Sequence, residues 1–170
     1  MALLRTLNGY TPQHGKDCWF AETAVVVGDV TMGDECTVWY NAVLRGDVHS
    51  ISMGNRVNVQ DNAVIHCTYQ KAKTVIGNNV SIGHTAIVHG CELMDNVLIG
   101  MGAMVMDHAV VEEGALVAAG AVVLENTIVE GGYIYAGVPA KKIKLAEGDS
   151  AEMIARIANN YVKYSKWYQE

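Results

Sequence analysis

Three histidines, His66, His84 and His89, are the residues of this chain best suited to chemistry. A neutral imidazole is the commonest protein ligand for zinc and related divalent ions. Three such nitrogens on a tetrahedral ion leave the fourth position to water, which is the pattern of a catalytic centre and not of a closed structural one. The three are unevenly spaced along the chain, so their convergence depends on the backbone that carries them.

That backbone counts in sixes. A large apolar residue recurs at Phe20, Val26, Met32, Val38 and Leu44, and resumes after a short slip at Met53, Val59 and Ile65. It continues through Ile76, Ile82 and Val88, then Leu93, Ile99, Val105, Val111, Val117 and Val123. Four places after many of these comes a smaller residue, as at Ala42, Ala63, Ala86, Ala103 and Ala121. A helix needs apolar residues three and four apart, and an amphipathic strand needs strict alternation, so neither template fits. A solenoid does: three short strands per coil, small residues at the corners, and one large residue per strand filling a triangular core. Stacked coils pair their backbones at about 4.8 Å and bury a continuous apolar column. The pattern resembles the hexapeptide-repeat left-handed parallel β-helix. Its hand comes from that resemblance alone, because parallel crossovers are otherwise right-handed.

The expected architecture is therefore all-β, a left-handed parallel β-helix with a C-terminal α-helix, in a single domain over 1–170. Coils are expected over about 18–124, an extended exit over 125–148 and the helix over 149–168. Asp149 and Glu152 have the spacing of a capping box. Met153, Ile154, Ile157, Ala158, Tyr161, Tyr164 and Tyr168 form a stripe suited to lying on one wall of the coil.

Placing the histidines on this coil brings two of them together. With a slip after Asp47 and an extra loop over Thr68 to Lys73, residues Leu44, Ile65, Val88 and Val105 share one wall. Each is followed by an outward residue, so Arg45, His66, His89 and Met106 stack on successive coils. Two nitrogens on one zinc lie roughly 3.4 Å apart for bonds of about 2.0 to 2.1 Å. Side chains from strands about 4.8 Å apart need only lean together to reach this. His84 follows Ile82 on the preceding wall, one coil after Asp61, and does not reach the pair within its own chain. A symmetric homotrimer with coils side by side would bring it to the partner's pair, giving three equivalent sites.

The segments Arg45-Gly46-Asp47, Asn58-Val59-Gln60-Asp61-Asn62, Ile65-His66, Ile82-Gly83-His84 and Val88-His89-Gly90-Cys91 together resemble the γ-class carbonic anhydrases over nearly the whole chain. The resemblance implies a homotrimer with a divalent metal at each interface and reversible hydration of CO₂ to bicarbonate by a metal-bound hydroxide. Zn²⁺ is the expected metal, with Fe²⁺ and Co²⁺ also accepting three imidazoles. It further implies that Gln60 orients the hydroxide, that Arg45 binds bicarbonate and joins the interface, and that Asp47 and Asp61 hold Arg45. Asn58 and Tyr135 are further polar candidates for the site.

One departure bears on rate. The family's best-known members carry a glutamate after the Arg-Gly-Asp segment and another on an acidic loop, for proton transfer. Here Val48 follows Asp47, and the loop reads Thr68-Tyr69-Gln70-Lys71-Ala72-Lys73. Two alternatives stay open: a non-catalytic metal-binding trimer or assembly subunit, and an acyltransferase using acyl-CoA, whose coils share an ending like Gly137-Val138-Pro139-Ala140-Lys141. The net charge of −6 and the lack of a basic cluster argue against nucleic acid. No apolar run approaches the roughly 20 residues of a membrane span, and the start lacks a signal-peptide design, so a cytoplasmic protein is expected. Cys18, Cys36, Cys67 and Cys91 form no CxxC and read as small buried thiols, not as disulfides or metal ligands. His14, His49 and His108 have no partner at ligand spacing.

Overall fold

The computed structural model describes residues 2–169. Each hexapeptide contributes one short strand, and three flat walls enclose the core. Trp19–Phe20, Thr37–Val38, Asn58–Val59, Ser81–Ile82, Leu98–Ile99, Leu116–Val117 and Tyr133–Ala136 pair in parallel along the first wall. The second wall carries the in-register column Val26, Leu44, Ile65, Val88, Val105 and Val123. All six are sealed from solvent. The third wall runs from Val30–Met32 through Thr74–Ile76 and Glu92–Leu93 to Ile128–Val129. The result is a parallel β-solenoid of about 7 turns with one terminal helix, fitting the left-handed β-helix of hexapeptide repeats.

Both irregularities in the sixfold count have a structural basis. Gly28 pairs with Gly46, but Val30 pairs with Ile51, so Asp47 to Ser50 bulge from the long strand Val43–Met53 as it rounds a corner. The Thr68 to Lys73 stretch is a loop pinned by a bridge between Thr68 and Ala72. Both excursions lie beside His66.

Parallel pairing extends past both ends of the expected 18–124 coil. Leu3–Arg5 pairs with Val25 to Val27, and Tyr133–Ala136 completes a turn on Leu116 and Val117 before Lys141–Leu145 folds back antiparallel. The first strand is exposed throughout and lends no side chain to the core, so it needs no sixfold pattern. The last replaces aliphatic residues by Tyr133 and Tyr135.

The helix Asp149–Lys166 packs Ile154 and Ala158 inward, with Ile154 against Leu98 and Leu116. The ring of Tyr161 meets Trp39 edge-on at 5.1 Å between centroids. Its N-cap is Gly148 and its first residue Asp149, whose side chain, and with it the expected capping box, lies outside the described residues. Among the described residues no helix is long and apolar enough to cross a membrane.

Candidate metal centre

His66 and His89 stand in register on neighbouring coils, each just beyond a fully buried residue of the second wall. The inward anchors Ile65 and Val88 fix the strand, so the next side chains point out on the same face. His66 Nδ1 lies 3.1 Å from His89 Nε2. The opposite ring nitrogens are engaged by carboxylates: His66 Nε2 with Asp47 Oδ1 at 2.9 Å and His89 Nδ1 with Asp107 Oδ1 at 2.6 Å.

These contacts define the protonation pattern. Burial alone would push the Asp47 carboxyl up, but hydrogen bonds from His66 and Arg45 and the charge of Arg45 outweigh it, leaving Asp47 below its ordinary value. In Asp107 the same opposition is won by hydrogen bonds from Thr68 and His89. Both are therefore ionised acceptors at neutral pH, and the imidazole nitrogens facing them must donate. Arg45 Nη2 sits 3.4 Å from His66 Nδ1, and a guanidinium only donates. In the neutral forms of both imidazoles, the nitrogens that face each other therefore both present lone pairs. Two lone pairs at 3.1 Å repel unless a cation lies between them. A divalent metal meets that need, since the separation is close to that spanned by two bonds of about 2.0 to 2.1 Å on a tetrahedral ion. Carboxylates bound to the far nitrogens are the usual means of orienting such ligands.

His84 has the same construction on the adjoining wall. Its Nδ1 meets Asp61 Oδ2 at 2.9 Å, leaving Nε2 as the acceptor, 3.4 Å from the Tyr161 hydroxyl. Burial, followed by the charge of Asp61, pushes Tyr161 up to about 12, so it stays a donor. A cavity of about 220 Å³ lined by Trp39, Tyr40, Tyr161 and Tyr164 opens beside His84. Among the described residues, no three His, Cys, Asp or Glu side chains form a metal-holding group within one chain.

Residues 90–125 match the family model described as bacterial transferase hexapeptide (six repeats). A Methanocaldococcus jannaschii protein named "Probable carbonic anhydrase" is 51% identical over 151 residues, covering 89% of this chain and 94% of the relative. The carbonic anhydrase of Geobacillus kaustophilus is 43% identical over 162 residues, covering 95% and 88%. The chain belongs to the γ-class carbonic anhydrase-like family. Among solved structures, a hexapeptide transferase family protein from Anaplasma phagocytophilum superposes with a TM-score of 0.93 at 39% identity, covering 98% of each chain.

Against the family pattern, the remaining polar candidates divide. Arg45 pairs with Asp47 as expected. Asp61 does not reach Arg45 within the chain; it lies on the first wall's corner and holds His84 instead. Gln60 is buried, with its amide donating to Asn58 Oδ1 at 3.0 Å, while Asn58 donates to Ser81 Oγ at 2.7 Å. Asn58 therefore braces Gln60 and does not itself face the edge. Tyr135 is corrected outright: it fills the inward column in register with Val117, and its hydroxyl accepts the Glu130 N–H at 3.3 Å. The sixfold count continues past Val123 through Val129 to Tyr135, and that register was the signal for an inward side chain.

Asp107 and Tyr161 were absent from the sequence expectation. Asp107 stands two residues after Val105, where the next corner folds over Gly90, and it also accepts from Thr68. The signal available was its coil register. Tyr161 lay within the helical stripe, but only the docking of the helix places its hydroxyl at His84.

Proposed function

We propose that this protein reversibly hydrates CO₂ to bicarbonate at a divalent metal held between subunits of a homotrimer. His66 and His89 of one subunit and His84 of the partner subunit are the ligands. The single observation that carries the reading is the pair of bare imidazole nitrogens 3.1 Å apart, each oriented from behind by an ionised carboxylate. Relatives named carbonic anhydrase at 51% and 43% identity support the same chemistry. An outward stripe of Val43, Val64, Ile87, Met104 and Val122, stacked in register beside the histidines, supports a subunit contact on this wall.

Each residue's task follows from its contacts. Asp47 and Asp107 keep the proton on the far side of their imidazoles, and Asp61 does so for His84. When bound, the metal supplies Lewis acidity that brings the pKa of a water to about 7. Gln60, with its N–H committed to Asn58, offers its carbonyl oxygen to accept a hydrogen bond from the reacting water and orient it. Arg45, anchored on Asp47 yet with a side chain 45% exposed, offers its remaining N–H groups to the carboxylate of the product. Zinc is the proposed metal, and ferrous iron and cobalt suit the same donors.

With Val48 and the Thr68 to Lys73 loop lacking carboxylates, protons pass to solvent buffer. Stopped-flow CO₂ hydration by metal-quantified protein, loaded separately with zinc and anaerobically with ferrous iron, tests the proposal. The rate is expected to scale with bound metal and to rise with buffer concentration. A fully metal-loaded trimer with no rate above background would transfer the site to a structural or binding role.

A further inference from the structure

Cys18 and Cys36 lie outside the metal centre and take no part in its chemistry. They occupy the same place on successive coils, each immediately before the paired residues Trp19 and Thr37. The Trp19 N–H donates to the Cys36 carbonyl at 2.9 Å. Neighbouring strands stand about 4.8 Å apart, inside the Cα separation of about 4.4 to 6.8 Å over which a disulfide closes. The thiols also point to one corner. In the thiol form Cys18 Sγ donates to the Gly33 carbonyl at 3.2 Å, and Cys36 Sγ donates to the Gly54 carbonyl at 3.1 Å. Gly33 and Gly54 are themselves coil neighbours joined by a hydrogen bond.

Their surroundings differ in a way that gives them different roles. Cys36 is sealed in the core, whereas Cys18 is half-buried. Cys18 lines a cavity of about 240 Å³ between the first coils and the end of the helix, shared with Asp17, Glu35 and Lys166. A small solute can reach Cys18, and Cys36 lies behind it. The neighbouring Cys36 thiol lowers Cys18 to about 6 against the opposing effect of burial, with His14 assisting and Asp34 resisting. Cys36 is held as the thiol by the adjacent Cys18 sulfur and by burial. In Cys67 and Cys91 burial raises both thiols, and both are sealed from solvent.

We propose that Cys18 and Cys36 form a peroxide-reactive dithiol, with Cys18 as the accessible nucleophile and Cys36 as the resolving thiol. The Cys18 thiolate attacks one oxygen of a hydroperoxide and forms an S–O bond as the O–O bond breaks. The other oxygen leaves with a proton as water or alcohol, and Cys18 becomes a sulfenic acid. The Cys36 sulfur then attacks the Cys18 sulfur, forming the S–S bond while the S–O bond breaks. The hydroxyl leaves as water with the Cys36 proton. The peroxide gains the two electrons that the dithiol loses, and a thiol reductant reverses the change by exchange. The disulfide would cross-link the first two coils beneath the end of the helix.

The test uses the full chain, fully reduced and then exposed to hydrogen peroxide at near-stoichiometric concentration, followed by alkylation and peptide mapping. The expected product has lost two hydrogens and joins the Cys18 and Cys36 peptides, with Cys67 and Cys91 still alkylatable and the link reversed by dithiothreitol. In Cys36→Ser, dimedone is expected to trap a sulfenic acid at Cys18, and in Cys18→Ser residue Cys36 is expected to stay reduced. Iodoacetamide should label Cys18 at pH 7 about two- to threefold faster than an ordinary thiol of equal access, because the larger thiolate fraction outweighs its lower nucleophilicity. Two free thiols after peroxide, or a Cys18 sulfenic acid that persists in the unsubstituted chain, would overturn the proposal. Both outcomes are read on the unsubstituted protein, so a variant that fails to fold does not shelter it.

Discussion

Replacing Asp107 by alanine isolates the contribution of the carboxylate behind one ligand. In the folded chain Asp107 accepts from His89 Nδ1 at 2.6 Å and from the Thr68 hydroxyl. Its loss frees the His89 ring to rotate and to place its proton on Nε2, the nitrogen that would otherwise bind metal. Loss of such an orienting partner typically costs about 10- to 100-fold in metal affinity, or about 1.4 to 2.7 kcal/mol. The side chains of His89 and Asp107 are 27% and 15% exposed, so water can take over the abandoned N–H. That places the expected loss near the lower end, at about tenfold. Competition for zinc against a chromophoric chelator measures it, with circular dichroism and sedimentation confirming fold and assembly. A folded, assembled Asp107→Ala protein whose zinc affinity lies within about twofold of the parent would refute the orienting role.

Three further substitutions probe the scaffold. Ile65→Ala empties a fully buried place in the column directly before His66, and urea denaturation should show a loss of about 2 to 5 kcal/mol; a smaller loss would mean that the coil collapses around the gap. Thr85, next to His84, is β-branched yet has φ 60°, where the same corner on other coils is occupied by Asn41, Asn62, Gly102 and Gly120. Thr85→Asn should therefore raise stability by about 1 kcal/mol in thermal melts, and an unchanged or lower melting temperature would remove the inference of strain. A Cβ on Gly83 would stand 2.7 Å from Met101 N and 2.9 Å from Ile99 O. Gly83→Ala should force the coils apart beside His84 and lower both stability and metal affinity, whereas parental values for both would show that the backbone yields without cost.

The coil was legible because one physical constraint repeats: every strand must send a large residue into the same narrow core. The register of His66 and His89 followed, since Ile65 and Val88 fix which face the next residue occupies. Partners set by corners or by docking left weaker traces. Asp107 reaches His89 only because the chain folds over Gly90, and Tyr161 reaches His84 only after the helix settles against Trp39. Tyr135 continues the sixfold series through Val129, so its inward position was legible, but its hydroxyl made it a polar candidate for the site. The Leu3–Arg5 strand was silent because edge pairing uses backbone groups and demands nothing of the side chains.

The central claim, that one metal is held by two subunits, is tested most directly by mixing two inactive variants. His84→Ala retains His66 and His89, and His89→Ala retains His84. Each should form a folded trimer that binds no metal tightly. After dissociation and reassembly in equal amounts, random mixing restores a complete site at about a quarter of interfaces, because each needs one particular variant on each side. Metal content and CO₂ hydration should recover together to about that fraction. A mixture as empty as its parents, or either variant holding a full complement of metal alone, would contradict the shared site.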